Sequence, residues 1–518
     1  MYFRRRSIST ALLLATLSGC ATLPPHNGGA DVTGLLAERG QAAFSGTDID
    51  AARTQLARLS GRVLGIDDAV RIALVNNPAL TAEYAKLGFA AADVYDAGRL
   101  SNPVLSASLF VPDAGGERNQ VGFGLAQSFT DLLLLRSRSH FAQAEFERVQ
   151  MSVGAQVLNL AADTESAYYR LAGAWQVVTL REAVATAARA SATLAQRFFD
   201  AGNINRLELA LEQAAASQAD LDVLQARLDV TAARSALNRL MGLAASEVRW
   251  KSSDRLPVPR AAQTPTVDLL ALADRSRLDL AAARAGVTAF ADQLGVTRRF
   301  RLLGQSEIAI DTERETDGSR ITGPALALEL PIFNQGQGRV ARAEANLERA
   351  EAELRSLEIE IGNDVQLAAA ALETAKARAD HYRESLIPLR ESIVARTQEE
   401  VNFMLEGQFQ LLTVKQQEYD AWQGYLEAVR DYWLTRVELA RAVGAALPDA
   451  GQGDTTGLDA KAVITLKASM QHNGVQMDGM KGMDPTGDIQ GMDHSGHSAV
   501  DMEGMQMRDD SAKSGEQP

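Results

Sequence analysis

The densest set of potential ligands lies toward the C-terminal end, where methionine and histidine recur at short spacing. Met477, Met480, Met483, Met492, His494, His497, Met502, Met505 and Met507 fall in a segment that also carries Met470 and His472. This segment holds most of the 12 methionines and half of the 6 histidines of the sequence. Thioether and imidazole together suit soft Cu(I) and Ag(I), and imidazole also suits Cu(II). A thioether binds without first losing a proton. The surrounding stretch 448–518 is rich in Gly, Asp and Ser and poor in large apolar residues. A disordered tail with pliable ligand spacing is therefore expected, rather than a fixed coordination cage. Methionine has no packing reason to accumulate there, which favours metal binding over composition bias alone. His26, His140 and His381 stand isolated and read as ordinary polar residues.

The second chemically distinctive residue is the single cysteine, Cys20. One cysteine forbids an internal disulfide and any cysteine-rich zinc or iron–sulfur site. Its position explains it better. Arg4, Arg5 and Arg6 precede an apolar run from Ile8 to Leu17, which leads into Leu17-Ser18-Gly19-Cys20. The run is too short to stay as a membrane-spanning helix and has the layout of a secretory signal. Leu-Ser-Gly-Cys resembles the bacterial lipobox, which implies a signal peptide over 1–19 and a covalent lipid on Cys20. Ala21, rather than an aspartate, follows it. In lipoproteins of this kind that choice implies the outer membrane.

The bulk composition narrows the class. The 518 residues carry a formal net charge of -14, which excludes the basic footprint that nucleic acid requires. Aromatic residues make up only 5%, and Ala, Leu, Glu, Gln and Arg dominate, as suits long, closely packed helices. Catalytic signatures are missing: there is no HExxH, GxSxG or Walker loop. Gly122-Phe123-Gly124 and Gly336-Gln337-Gly338 each lack the remaining glycine of a phosphate loop. The chain reads as a non-enzyme that requires no cofactor.

The elements behind these residues form a tandem repeat. After a tether over 20–61, a first copy spans 62–256, a Pro-punctuated linker spans 257–265, and a second copy spans 266–447. Asn76-Asn77-Pro78-Ala79-Leu80 parallels Ser276-Arg277-Leu278-Asp279-Leu280, and Leu240-Met241-Gly242 parallels Ala442-Val443-Gly444. Phe199-Asp200-Ala201-Gly202 is set against Met404-Leu405-Glu406-Gly407. Proline is absent between Pro112 and Pro257, and only Pro388 interrupts the span between Pro331 and Pro448. Interior proline costs a helix about 3 kcal/mol, so both tracts are expected to be long helical hairpins, about 131–241 and 334–443. Leu347, Ala350, Leu354, Leu357, Ile361, Val365, Ala368 and Leu372 form one apolar stripe, and Leu221, Leu224 and Leu228 a second. Gly202 and Gly407 are expected to reverse the helices, since glycine tolerates the left-handed conformation of a helix end.

Ahead of each tract lies a candidate β-hairpin, about 104–129 and 303–330, with Pro112–Gln120 and Asp311–Arg320 as the polar separators. Each strand is about the length that crosses a bilayer when tilted, roughly 9–11 residues. Four strands cannot close a barrel, and an open edge in lipid leaves backbone groups unpaired at several kcal/mol each. If the strands lie in the membrane, several chains must share one barrel.

A repeat of hairpin plus very long helical hairpin, behind a lipobox, resembles the outer-membrane efflux family to which TolC belongs. The resemblance covers Gly65 to Gly444, and Leu330-Pro331-Ile332-Phe333-Asn334-Gln335-Gly336-Gln337-Gly338 is its most specific motif. It implies a mainly α fold with membrane β-strands. Long helical hairpins would form a periplasmic tunnel, and two β-hairpins would give four strands to a shared trimeric barrel. It further implies a homotrimer in the outer membrane that meets a periplasmic adaptor protein and an inner-membrane pump. Members usually carry acidic residues after the helix-reversing glycine, where they narrow the tunnel mouth. Glu208 and Glu212 follow Gly202, whereas Glu399, Glu400 and Glu406 precede Gly407. The acidic gate is thus matched in one copy only. The leading expectation is an outer-membrane duct exporting copper, silver or a similar metal ion. A duct for drugs or secreted polypeptides, and a periplasmic metal-buffering lipoprotein, are the alternatives.

Overall fold

The computed structural model describes residues 29–39, 63–113, 118–244, 250–252, 255–259 and 265–447. All of these lie in one compact unit, Met1–Thr465, whereas the unit Leu466–Pro518 falls outside the described residues. Cys20 and every methionine and histidine of the proposed metal-binding tail therefore lie outside them too.

A short helix α1 (Gly29–Ala37) comes first, then a two-residue strand β1 (Val63–Leu64). The first repeat continues with α2 (Ile66–Asn76), α3 (Pro78–Ala97), β2 (Val104–Phe110), β3 (Gln120–Ser128), α4 (Phe129–Asp200) and α5 (Arg206–Leu240). After β4 (Lys251–Ser252) the plan recurs as α6 (Thr266–Ser276), α7 (Leu278–Arg299), β5 (Ser306–Arg314), β6 (Arg320–Leu328), α8 (Gln337–His381), α9 (Ile387–Asn402) and α10 (Gln408–Val443). The 72 residues of α4 make a rod of about 110 Å at 1.5 Å per residue. Its N-terminus is capped by Ser128, whose side chain accepts from the amide of Asp131.

The second arm is not continuous. A single π-helical turn, Tyr382–Leu386, separates α8 from α9 just ahead of Pro388. There the Tyr382 ring lies over Gly424 of α10, where an added Cβ would come within 2.6 Å of it. Such turns relieve a misfit between side-chain packing and the helical ladder.

The core sits where the two repeats meet. Tyr169 of α4 stacks on Trp433 of α10 with ring centroids 5.3 Å apart, and Trp433 Nε1 donates to the Pro257 carbonyl at 2.8 Å. Strands β1 and β4 pair in parallel and tie the start of one repeat to the join with the next. Helix ends are cross-linked alike in each copy. Asn77 Nδ2 donates to Leu240 O at 2.8 Å, and Arg277 Nη1 to Ala442 O at 3.1 Å.

On α8, Ala350, Ile361, Val365, Ala368 and Leu372 of the expected stripe are buried, with Leu354 and Leu357 packed against them. The α5 stripe behaves differently. Its buried face is Ala216, Ala219, Val223, Ala226 and Val230, while Leu221, Leu224 and Leu228 remain about 60% exposed on the single chain.

Strands β2, β3, β5 and β6 form one antiparallel sheet of order β2-β3-β5-β6. Its hairpins run further than their charge pattern suggests: β5 continues through Asp311, Thr312, Glu313 and Arg314, so the turn is confined to Glu315–Ser319. Asp311 and Glu313 were expected in the separator because carboxylates interrupt an apolar run, but alternation places them on one face of a strand.

Candidate functional site: a two-faced sheet and the helix-reversing turns

Register defines the two faces of the sheet. Leu105 pairs with Leu125, Leu125 with Ile310, Phe123 with Thr312, and Ile308 with Leu326. This apolar face is exposed, with Leu125, Ile310 and Leu326 each more than half accessible. The other face carries Ser106, Ser108, Gly122, Gly124, Ala126, Glu307, Ala309, Asp311 and Glu313. Its large apolar residues, Val104, Phe110 and Ile321, sit at strand ends. Gly124 is required there, because a Cβ would lie 2.4 Å from Asp311 Oδ1 and 2.5 Å from Ser106 Oγ. Glycine lets the Asp311 carboxylate lie flat against the neighbouring strand. Among the described residues, the edge strands β2 and β6 have no partner on their outer sides. The sheet is therefore a barrel segment, apolar outside and acidic inside, with two open edges.

At the far end of the helices, Gly202 and Met404 hold the left-handed position of the two turns, with φ of 77° and 59°. In each, the next residue closes the loop back across the helix end: Asn203 N to Phe198 O at 2.8 Å, and Leu405 N to Glu400 O at 2.9 Å. Gly407 was expected to take this position. It is instead extended, at φ -83° and ψ 153°, and stands at the N-cap of α10. In the first repeat that cap is Asn205, which begins a reciprocal capping box. Asn205 Oδ1 accepts from the amides of Leu207 and Glu208, and Glu208 Oε2 accepts from the Asn205 amide at 3.2 Å. Gly407 offers no side chain, so α10 starts uncapped.

This geometry separates the candidate gate residues. Glu208 is exposed but engaged as a cap, and Glu212 is half-buried and accepts a hydrogen bond from the buried Ser191 hydroxyl. Glu399, Glu400 and Glu406 are exposed and have no ion-pair partner among the described residues. Glu418, the first carboxylate of α10, is buried and paired to Lys415 at 2.7 Å, which removes it from any surface role. Around the second turn the sequence reading missed an apolar tip: Phe403, Met404 and Leu405 are 76%, 93% and 74% exposed. Leu207 and Leu211 are exposed just beyond the first turn.

Also missed was a charged cleft of about 530 Å³ at the join of the repeats, lined by Asp67, Arg71, Glu165, Arg277, Arg436 and Arg441 among apolar side chains. Burial, reinforced by Asp67 and opposed by Arg436, pushes the Glu165 carboxyl up to about 7. Arg441 is ion-paired with Asp163 beside it, and Arg277 with Asp279. No motif signals this cleft, because its residues come from four helices. Among the described residues, no group of three or more His, Cys, Asp or Glu side chains could hold a metal ion. None of their helices is long and apolar enough to cross a membrane.

A two-faced, open-edged barrel segment continuous with helices of this length is the architecture of a channel protein. The chain belongs to the outer membrane efflux protein family, whose model matches residues 69–243 and 250–445. Among curated relatives it is 24% identical over 254 residues to the cobalt-zinc-cadmium resistance protein CzcC of Cupriavidus metallidurans, covering 48% of this chain and 57% of CzcC. It is 26% identical over 337 residues to protein CyaE of Bordetella pertussis, covering 61% of this chain and 70% of CyaE. Little more than half the length of CzcC is thus spanned. Its fold matches the crystal structure of CusC with a TM-score of 0.62 at 15% identity, covering 74% of this chain and 92% of that one. It matches the Campylobacter jejuni CmeC outer membrane channel with a TM-score of 0.63 at 17% identity, covering 78% and 89%. The tandem repeat and the mainly helical, strand-bearing fold expected from sequence are those of these channels.

Proposed function

We propose that the chain is the outer-membrane duct of a tripartite efflux system that exports copper, silver or a similar metal ion from the periplasm. The observation that carries this reading is the sheet with an apolar outer face, a carboxylate-bearing inner face and two unpaired edges. Three such sheets, from a homotrimer, make one closed barrel of strands with no unsatisfied backbone in lipid. The exposed Leu221, Leu224 and Leu228 of α5, with Ile359 and Leu367 of α8, supply apolar surface for neighbouring copies to cover. Lipid on Cys20 anchors the chain to the same membrane. The exposed tip Phe403-Met404-Leu405 and the turn at Gly202 meet the periplasmic adaptor, through which the duct joins an inner-membrane pump.

Permeation rather than chemistry is the mechanism, so no residue is catalytic. Glu399, Glu400, Glu406 and, within their structural roles, Glu208 and Glu212 draw cations to the mouth. Asp311, Glu313 and Glu307 continue that field through the barrel. The metal assignment draws on CzcC, a cobalt-zinc-cadmium resistance protein by name, and on the Met477–Met507 cluster. Methionines and histidines at that spacing select soft ions, Cu(I) and Ag(I) first.

The test is metal tolerance of a deletion strain complemented with the full chain or with one ending at Leu447. Rescue against copper or silver that weakens on truncation is expected. Rescue against antibiotics or detergents alone, indifferent to truncation, would overturn the metal assignment and leave the duct.

A further inference from the structure

The helix-side margin of the sheet is unusually rich in arginine for a chain of net charge -14. Arg136 lies two turns into α4, Arg299 ends α7, Arg301 follows two residues beyond it, and Arg342 lies in the second turn of α8. All four are exposed, and none of their guanidinium groups has a hydrogen-bond or ion-pair partner among the described residues. Their neighbours Arg138, Arg298 and Arg339 are committed inward, to Asp131 at 3.2 Å, to Glu344 at 2.5 Å and to the Arg301 carbonyl at 2.7 Å. The committed set thus holds the helix ends together, while the free set meets no partner among the described residues.

These residues share one level. Thr130 Oγ1 donates to Gly304 O at 2.8 Å and accepts from the Ser306 amide at 3.0 Å, which fixes the start of α4 to the start of β5. Arg339 ties the start of α8 to the end of α7, across a corner where Gly336 has φ 78° and no room for a Cβ. At this level the apolar surface is also uncovered. Leu132, Leu302, Leu330, Ile332 and Phe333 are 54%, 51%, 71%, 66% and 97% exposed. A strand of this length, tilted, spans roughly the hydrocarbon layer, so residues within about 10 Å of its end fall among the lipid headgroups.

We infer that Arg136, Arg299, Arg301 and Arg342 form a collar that binds the phosphates of anionic glycerophospholipids in the leaflet facing the helices, with Leu330, Ile332 and Phe333 seated in the upper acyl region. Guanidinium matches a phosphodiester in charge and in fork geometry, whereas a merely solubilising surface would need no such placement. The inference rests on the strands lying in the membrane.

The test uses the full-length protein purified in neutral detergent and offered phosphatidylglycerol or phosphatidylcholine, with bound lipid counted by native mass spectrometry. The wild type is expected to retain phosphatidylglycerol preferentially. The triple variant Arg299→Gln, Arg301→Gln, Arg342→Gln is expected to lose that preference by roughly fivefold per arginine, the factor a cation contributes near an anionic surface. Arg349→Gln, further along α8 and outside the collar, should leave it unchanged. Equal retention of both lipids by the wild type, or a preference the triple variant keeps, overturns the collar. Displacement of the lipid by millimolar inorganic phosphate would also overturn it, by assigning the site to a free anion. Flotation with phosphatidylcholine vesicles separates the two failures: a protein that does not insert refutes the membrane reading itself, and one that inserts without lipid preference refutes only the collar.

Discussion

Met404 occupies in the second repeat the place that Gly202 occupies in the first, a left-handed residue at the point where a long helix turns back. The spacing that separates these two also separates Asn205 from Gly407 and Gly242 from Gly444, so the copies are in strict register through their helical hairpins. One turn is thus a relaxed glycine followed by a capped helix. The other is a strained methionine followed by an uncapped one.

The turns should respond oppositely to substitution. A side chain in the left-handed region costs about 1 kcal/mol, so Gly202→Ala should loosen its turn and Met404→Gly should tighten the other. Hydrogen exchange at Asn203 and Leu405 reads this directly. Unaltered protection in both variants would mean that assembly contacts, not backbone conformation, hold the turns.

Removing the cap is a separate matter. Asn205→Ala should destabilise the first turn of α5 by about 1 kcal/mol, and Gly407→Asn should add a smaller amount, about a few tenths of a kcal/mol, to α10. Amide exchange over 206–209 and 408–411 should move in opposite directions. A gain in α10 without any effect in α5 would contradict the capping geometry.

At the mouth, charge and structure can be pulled apart. Glu399→Gln, Glu400→Gln and Glu406→Gln change carboxylates with no ion-pair partner among the described residues, so single-channel cation selectivity should fall while thermal stability holds. Glu208→Ala should lower stability, because it removes half of the capping box. If Glu208→Ala changed selectivity most and stability not at all, the gate would lie on the first arm.

Protonation of the cleft gives a pH signature. The Glu165 carboxyl titrates at about 7 in the fold against an ordinary value of 4.5. The folded state therefore holds its proton more tightly than the unfolded state does. This group's contribution to stability is full below about 4.5 and is lost as pH rises through 7. Glu165→Gln should flatten the thermal midpoint across that window and raise it above neutral pH. A wild-type slope retained in the variant would place the titrating group elsewhere.

In the barrel, the two faces should tolerate opposite changes. Leu125→Arg puts a cation on the outer face and should cost about 2–4 kcal/mol near the bilayer midplane, seen as lost insertion. Asp311→Asn on the inner face should insert normally and lower cation selectivity. Normal insertion of both would leave the assignment of faces without support.

Sequence alone carried the long helices, because proline spacing and three- and four-residue apolar steps are local signals. It missed the capping box, although Asn205 and Glu208 stand at the required separation. It misplaced the second turn because glycine is the usual left-handed residue, and only backbone geometry reveals that Met404 holds that position. Asp311 and Glu313 resemble loop residues until pairing with Gly124 and Gly122 sets them on one face of a strand. The π-helical turn at Tyr382 and the Glu165 cleft depend on contacts between distant segments, and no run of residues announces either. Leu221, Leu224 and Leu228 were legible as a stripe, but not as one facing away from the chain's own core.

In the proposed shared barrel, the outer sides of β2 and β6, unpaired among the described residues, make folding a matter of mass action. A lone copy in lipid has no route to satisfying those backbone groups, so its most stable state lies outside the bilayer or in the company of others. Stability of such a chain has no fixed value: it rises with the amount of protein present, and dilution alone acts as a denaturant. Expression level then sets more than the number of ducts. Below a threshold of synthesis the cell holds none, and above it nearly every added copy finds a place.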